Sequence, residues 1–448
     1  MKSTYTYLIT FLILSFSLPD LSFSQAKDQY ILINNVRIFN GKDENLTTGN
    51  ILIKNELIEK ISPDPIDLNG VSPQIIEGKG EVVIPGLIDA HAHISSEDIP
   101  WRTPTDAFML GFMSAKSAKN RLLRGYTTIR DMGGNVFSLA KAIDNGWIDG
   151  PRIFPSGAII SQSGGHGDFG SFTDVPRSSN DFNYRQRNGL MAIADGVPEV
   201  LKRTREQLRQ GATQLKLAAG GGVASTYDPI DVAQYTVEEY QAAVSAAENW
   251  GTYVTVHVYT PKAIRTAIEG GVKCIEHGML LDEPTAKLLA DKGIWWSLQP
   301  FTPDDGSGVR WEGTPNMKKY LEVREGTKHA YQLARKYNIK VAWGTDLGGP
   351  PEVAARENDR LVALERFGYT PYEALKMATS TNAELLEMSG PRHPYSSGKL
   401  GEITEGAYAD LILVKGNPLE KLSLLSDYEN NFLLIIKNGK IYKNKLGK

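Results

Sequence analysis

Seven histidines occur in the chain, and two of them, His91 and His93, are separated by one alanine in "IPGLIDAHAHI" at 84–94. In a β-strand, residues two apart point the same way, about 7 Å from each other. On a helix the same pair would diverge by roughly 200°. The neighbours Val82, Val83, Ile84, Leu87, Ile88 and Ile94 favour a buried strand. Two imidazoles on one strand face suit a metal ion. Asp89 would share that face, where support of the histidines and a structural role at the strand start are equal readings. For His-x-His alone, a polar patch satisfied by hydrogen bonds is an equal reading, so the rest of the chain must decide.

More groups of the same kind follow. Lys216 lies in "LKLAAGGG", His257 in "VTVHVY", His277 in "CIEHG" and Asp346 in "AWGTD". Imidazole and carboxylate suit Zn²⁺ or another first-row divalent ion. An ammonium has no lone pair to give. Lys216 joins such a set only if its amine adds CO₂, making a carbamate whose two oxygens bridge two cations. Left unmodified, it buries a charge beside metal at severe cost; a lysine snorkelling outward is the alternative. His166 sits in the glycine-rich "SQSGGHGDFGSF" at 161–172 and has no evident packing role. Tyr259 lies two residues beyond His257, on the same strand face. His329 and His393 lie in helical or linker surroundings and are expected at the surface. Trp295 and Trp296 read as core, one ring on each face of a strand. Cys274 is the single cysteine, so no internal disulfide forms, and its place beside Ile275 predicts a packed thiol.

The elements that must position these groups follow from the hydrophobic pattern. Residues 30–83 read as short strands with Asn-Asn and Asn-Gly turns, and the style returns from about Lys399. The two ends are expected to form one small β-sandwich unit. Between them, candidate strands at 82–93, 126–131, 152–160, 212–218, 252–259, 272–277, 294–299 and 339–346 alternate with helices. Helix starts are marked by a capping box at Thr236–Glu239 and by Thr-Pro at 260–261 and 370–371. Eight alternations predict an α/β fold, a (β/α)₈ TIM-like barrel. The expected layout is 1–24 leader, 25–83 plus 396–448 β-sandwich, and 84–395 barrel.

In such a barrel the chemistry lies where strands end. From His93 to Lys216 is 123 residues, or 41 for each of three βα units. Lys216 to His257 is again 41, His257 to His277 is 20, and His277 to Asp346 is 69, two units. All six groups therefore reach one mouth.

Composition narrows the partners. The 448 residues are 41% hydrophobic and 23% charged with net charge −3, and no long charged run occurs. Neither nucleic acid nor an anionic membrane surface is implied. At the N-terminus, Lys2, the apolar run Tyr7 to Phe16 and small residues at Ser22 and Ser24 lay out a secretory signal peptide. The run is shorter than the ~20 residues a membrane span needs, so removal after Ser24 without stable membrane insertion is expected. The protein is expected to be secreted, with the periplasm its compartment.

"GLIDAHAH", the strand-4 lysine, the strand-5 and strand-6 histidines and "GTD" on strand 8 resemble the binuclear amidohydrolase superfamily. Within it, "GGHGD" at 164–168 and "LKLAAGGGVAS" at 215–225 resemble the metal-dependent dipeptidases, or prolidases, a branch that includes ochratoxin-type N-acyl amino acid hydrolases. The resemblance covers nearly the whole chain after the leader. It implies a small-molecule amide or dipeptide substrate, cleaved by a metal-activated hydroxide. It implies one ion, zinc by default, on His91, His93 and Asp346, and a second on His257 and His277. Carboxylated Lys216 would bridge them, and Asp346 would take and return the proton. His166 and Tyr259 would hydrogen-bond the substrate carbonyl or carboxylate. Barrels of this family often associate, so a homo-oligomer is possible. The runner-up is a cyclic-amide hydrolase like imidazolonepropionase, which Lys216 and the leader oppose. A non-catalytic binding protein would lack a ligand, and none is missing.

Overall fold

A computed structural model describes residues 28–97, 105–175 and 181–446, so the leader expected at 1–24 lies outside the described residues. Both chain ends contribute to one eight-stranded sheet. The N-terminal strand Tyr30–Ile38 pairs antiparallel with Thr47–Lys54, which pairs with Leu57–Ser62. Val82–Pro85 joins the two ends, because it pairs with Tyr30–Ile38 on one side and with Leu411–Val414 on the other. Phe432–Lys437 and Lys440–Asn444 complete that edge. One layer of this sheet is an almost wholly aliphatic core, with Ile33, Val36, Ile51, Val83, Leu411 and Leu413 buried together.

The middle of the chain is a parallel (β/α)₈ barrel. Its strand positions are Leu87–Ala92, Tyr126–Asp131, Arg152–Pro155 with Ile159–Ser161, Leu215–Ala218, Val254–Val258, Cys274–His277, Trp295–Leu298 and Val341–Trp343. Neighbours pair in parallel within a three-stranded and a seven-stranded arc. The Thr213 amide donates to the Pro155 carbonyl at 2.8 Å, and the Asp346 amide to the His91 carbonyl at 2.8 Å, linking the arcs. Helices cover the outside and bury their apolar faces in the main core.

Two expected strands are each two strands. The stretch 82–93 breaks at Gly86, where the chain leaves the end sheet and enters the barrel. A Cβ there would stand 2.2 Å from the Thr127 hydroxyl, so only glycine permits the approach. The stretch 152–160 breaks at Gly157, whose φ of +75° is left-handed backbone. The piece beyond it pairs with Met191–Ile193, a short strand with too few residues for a readable period. The capping boxes at Thr236 and Thr370 form, while Thr260 occupies its cap position without a side-chain bond. Trp296 packs in the main core and Trp295 in a separate cluster with Ala90 and Cys274, as strand alternation requires. His329 is exposed, but His393 is not a surface residue: its ring lies edge-on to Phe154 at 4.8 Å. Among the described residues no helix is long and apolar enough to cross a membrane.

Candidate metal centre

His91 and His93 project together from the first barrel strand, with their Nε2 atoms 3.3 Å apart. Asp346, three residues beyond the last strand, brings Oδ1 to 3.3 Å from His93 Nε2 and 3.6 Å from His91 Nε2. The ligand atoms of these three residues all lie within 4.8 Å of one another. His277 Nδ1 is 4.0 Å from Asp346 Oδ2. The His277 ring lies 4.8 Å from that of His91 and 4.6 Å from that of His257. His93, His166, Lys216, His257, Tyr259, His277 and Asp346 line one cavity, and His91 lies fully buried beneath it.

Each imidazole has one nitrogen committed elsewhere. His91 Nδ1 meets Glu276 Oε2 at 2.7 Å, and His93 Nδ1 meets the Gly133 carbonyl at 3.2 Å. His277 Nδ1 meets Gln299 Oε1 at 2.7 Å, while His257 uses Nε2, 3.3 Å from the Gly221 carbonyl. Every partner is an acceptor, so each proton is held on the outer nitrogen and the other nitrogen keeps its lone pair. Burial drives His257 and His277 well below the ordinary imidazole range. Burial, with the Lys216 charge, brings His91 down to about 4 against the pull of Asp346 and Glu276. Burial is the largest influence on His93 and opposes its charge, but the hydrogen bond to Asp346 and the charges of Asp346 and Asp131 together outweigh it, and the ring is raised. For Asp346, burial favours the neutral acid, yet His91, His93 and His277 hold it well below the usual carboxylate range. His91, His257 and His277, held toward the neutral form with directed lone pairs, together with His93 and an ionised carboxylate make a donor set that fits a divalent first-row ion.

Lys216 is 2% exposed on its strand, and burial lowers its amine to about 8 although Glu276 and Asp346 favour the charge. A sizeable share of the amine is therefore neutral near pH 8. His166 stacks on His257 at 3.9 Å, with the ring planes 8° apart. Tyr259 lies 5.0 Å from His257 and 5.3 Å from His277, ring to ring. Cys274 is a buried free thiol pushed up to about 12, chiefly by burial.

Asp89 does not join the histidines at the mouth. Its carboxylate accepts from Arg121 at 2.8 Å and from the Thr345 hydroxyl at 2.5 Å and amide at 3.0 Å. Arg121 also reaches Glu97 at 2.8 Å and Glu357 at 3.3 Å, and Arg124 reaches Glu357 at 2.7 Å. Glu276 is a functional residue that the sequence reading misses. Besides His91 it accepts from Arg130 at 2.6 Å and from the Thr255 hydroxyl at 2.5 Å. Strand alternation sends Glu276 and His277 to opposite faces, yet both serve the site. His277 has φ +71°, which ends the pleat and turns its ring back over the barrel mouth.

A sequence model described as the amidohydrolase family matches residues 82–442. The ochratoxinase of Aspergillus niger is 34% identical over 379 residues, covering 81% of this chain and 76% of that protein. Its crystal structure superposes with a TM-score of 0.79 at 29% identity, over 94% of this chain and 98% of that one. A prolidase crystallised with N-methylphosphonate-L-proline superposes at 0.84 with 32% identity, over 93% of this chain and 100% of that one. A Xaa-Pro dipeptidase with methionine bound in its active site superposes at 0.78 with 29% identity, over 93% and 100%. The chain belongs to the amidohydrolase family, in its dipeptidase- and ochratoxinase-like branch, and is a hydrolase of carbon–nitrogen bonds.

Proposed function

We propose that the protein is an exported hydrolase of the amide bond in a dipeptide or N-acyl amino acid, working with two divalent ions, zinc by default. The observation that carries this reading is the convergence of four imidazoles, Asp346 and buried Lys216 on one cavity. The prolidase, dipeptidase and ochratoxinase relatives support the bond class. His91, His93 and Asp346 would hold one ion and His257 and His277 the other. Lys216, carboxylated on Nζ, would bridge them, and its partly neutral amine is the form that adds CO₂ with loss of one proton. When bound, the ions supply Lewis acidity toward the scissile carbonyl and toward water.

The chain's own residues do the rest. Glu276, Gln299 and the Gly133 and Gly221 carbonyls hold the imidazoles in their tautomers. The Asp346 carboxylate accepts the proton of the attacking water and returns it to the leaving amine, whose C–N bond breaks. His166 and Tyr259 hydrogen-bond the substrate carbonyl or carboxylate from the cavity wall. Export rests on the N-terminal apolar run, and N-terminal sequencing of the secreted protein, expected to begin at Gln25, checks it.

The test is amine release from a library of dipeptides and N-acyl amino acids, with zinc-loaded mature protein and Lys216→Ala as control. Hydrolysis by the wild type alone supports the reading. Silence across the library with two metals bound per chain sinks it and moves the search to cyclic amides.

A further inference from the structure

The two glycine-rich stretches, 161–172 and 215–225, are brought together by a carboxylate outside both. Asp228 is buried, accepts from the Gly222 amide at 2.7 Å, and lies 3.3 Å from His166 Nδ1. The Ser225 hydroxyl sits 2.6 Å from the same nitrogen. Lys319 fixes this loop from the helix Asn316–Lys336, donating to the carbonyls of Gly222 at 3.2 Å, Ser225 at 3.0 Å and Asp228 at 2.5 Å. Gly222 gives the ring its space, since a Cβ there would stand 2.0 Å from His166 Nδ1.

We propose that Asp228 is a positioning residue: with Ser225 it holds Nδ1 of His166, fixes that ring flat against His257, and leaves Nε2 for the substrate. The inference rests on the reading of His166 as a substrate contact. A ring held only by stacking is free to slide and flip, whereas a ring gripped at Nδ1 presents one nitrogen in one direction. Acceptors that orient metal-binding histidines change affinity or activity by about 10–100-fold when removed, and the lower end of that range is the expectation for a histidine that contacts substrate.

The test is Asp228→Asn in the zinc-loaded enzyme, alone and combined with His166→Ala. In the wild-type background kcat/KM is expected to fall at least tenfold with metal stoichiometry unchanged. In the His166→Ala background the same change is expected to cost no more than about twofold, because there is no ring left to position. Imidazole ¹⁵N NMR, with His166 assigned by its alanine variant, is expected to show its Nδ1 environment altered while the resonances of His91, His93 and His277 stay. That readout needs no substrate, so it stands even if the proposed substrate class fails. Equal losses in both backgrounds, or an unmoved His166 resonance, overturn the proposal. Should Asp228→Asn fail to fold, Ser225→Ala removes the shorter contact, and an unmoved resonance there overturns it equally.

Discussion

Glu276→Gln isolates the residue that orients His91. The wild-type carboxylate accepts from His91 Nδ1 at 2.7 Å, Arg130 at 2.6 Å and Thr255 at 2.5 Å, with Cys274 at 3.5 Å. Burial resists its charge, but Arg130 and His91 hold it well below the usual carboxylate range, so it is ionised. A glutamine keeps the shape and has one accepting end and one donating end. If the amide nitrogen turns to Arg130, two donors face each other and a buried guanidinium loses its anion. If it turns to His91, Nδ1 must accept, and the proton moves to Nε2, the nitrogen that would bind metal. Breaking a buried pair costs ~3–5 kcal/mol. Unfolding entropy of ~2.1 cal/mol/K per residue over 448 residues makes that a fall of roughly 3–5 °C in Tm. The loss of orientation adds a 10–100-fold drop in metal affinity. Competitive chelator titration with metal analysis reads the affinity, and thermal scans of metal-free protein read the stability separately. An unchanged affinity beside a lowered Tm would refute the orienting role and leave Glu276 as a partner of Arg130 alone.

Three further outcomes follow from the same geometry. Lys216→Ala should lose bound metal and activity, and short carboxylates should restore part of both; full activity in the variant refutes the bridge. Asp346→Asn should lower turnover far more than metal content, whereas equal losses would make Asp346 a ligand only. Glu357 shares the Arg121 guanidinium with Asp89 and Glu97 and pairs with Arg124 besides, and burial pushes it up to about 7 from 4.5. A carboxyl raised on folding stabilises below its unfolded pKa and loses that contribution as pH rises through about 7. The native state then holds an extra proton between those values, worth on the order of 3 kcal/mol at 1.36 kcal/mol per unit. Glu357→Gln should therefore flatten the decline in Tm between pH 5 and pH 8, and an unchanged slope shows that the proton sits elsewhere.

The barrel and its six chemically distinctive residues were legible because both rest on period and spacing. Histidines two apart in an apolar run imply one strand face, and strand ends recurring at unit intervals imply one mouth. What stayed hidden depended on contacts between remote segments. Asp89 shares a strand face with His91 and His93 and reads equally as support for the site or as a structural group at the strand start; what no local signal shows is that Thr345, just past the last strand, donates to its carboxylate from both amide and hydroxyl. Glu276 draws no reading from the sequence, because alternation places it on the face opposite His277 and nothing local shows that the left-handed backbone at His277 lets both serve the site. His393 reads as a linker residue because nothing local shows that Phe154, 239 positions earlier, offers an edge to pack against. Gly86 reads as ordinary punctuation, although it is the point where one sheet ends and the barrel begins.

The left-handed backbone at His277 (φ +71°) and Asp346 (φ +47°) connects these cases. Neither residue is a glycine, and such a conformation costs ~1–3 kcal/mol and persists only where the surroundings enforce it. They do so at both places through groups that no period marks. The His277 carbonyl accepts from Trp296 Nε1 at 2.6 Å, and the next amide, Gly278, donates to Val258 at 2.8 Å. The Asp346 amide donates to His91, and the Thr345 carbonyl before it accepts from buried Arg360. Asp89 grips Thr345 on the side chain and amide together. The turn that aims Asp346 at His93 is thus held by the same strand that carries His93. A change at Asp89 or Trp296, neither of which offers an atom to a metal, is therefore expected to weaken metal binding by letting these turns relax, and an unchanged affinity in a chelator titration of Trp296→Phe would refute that link.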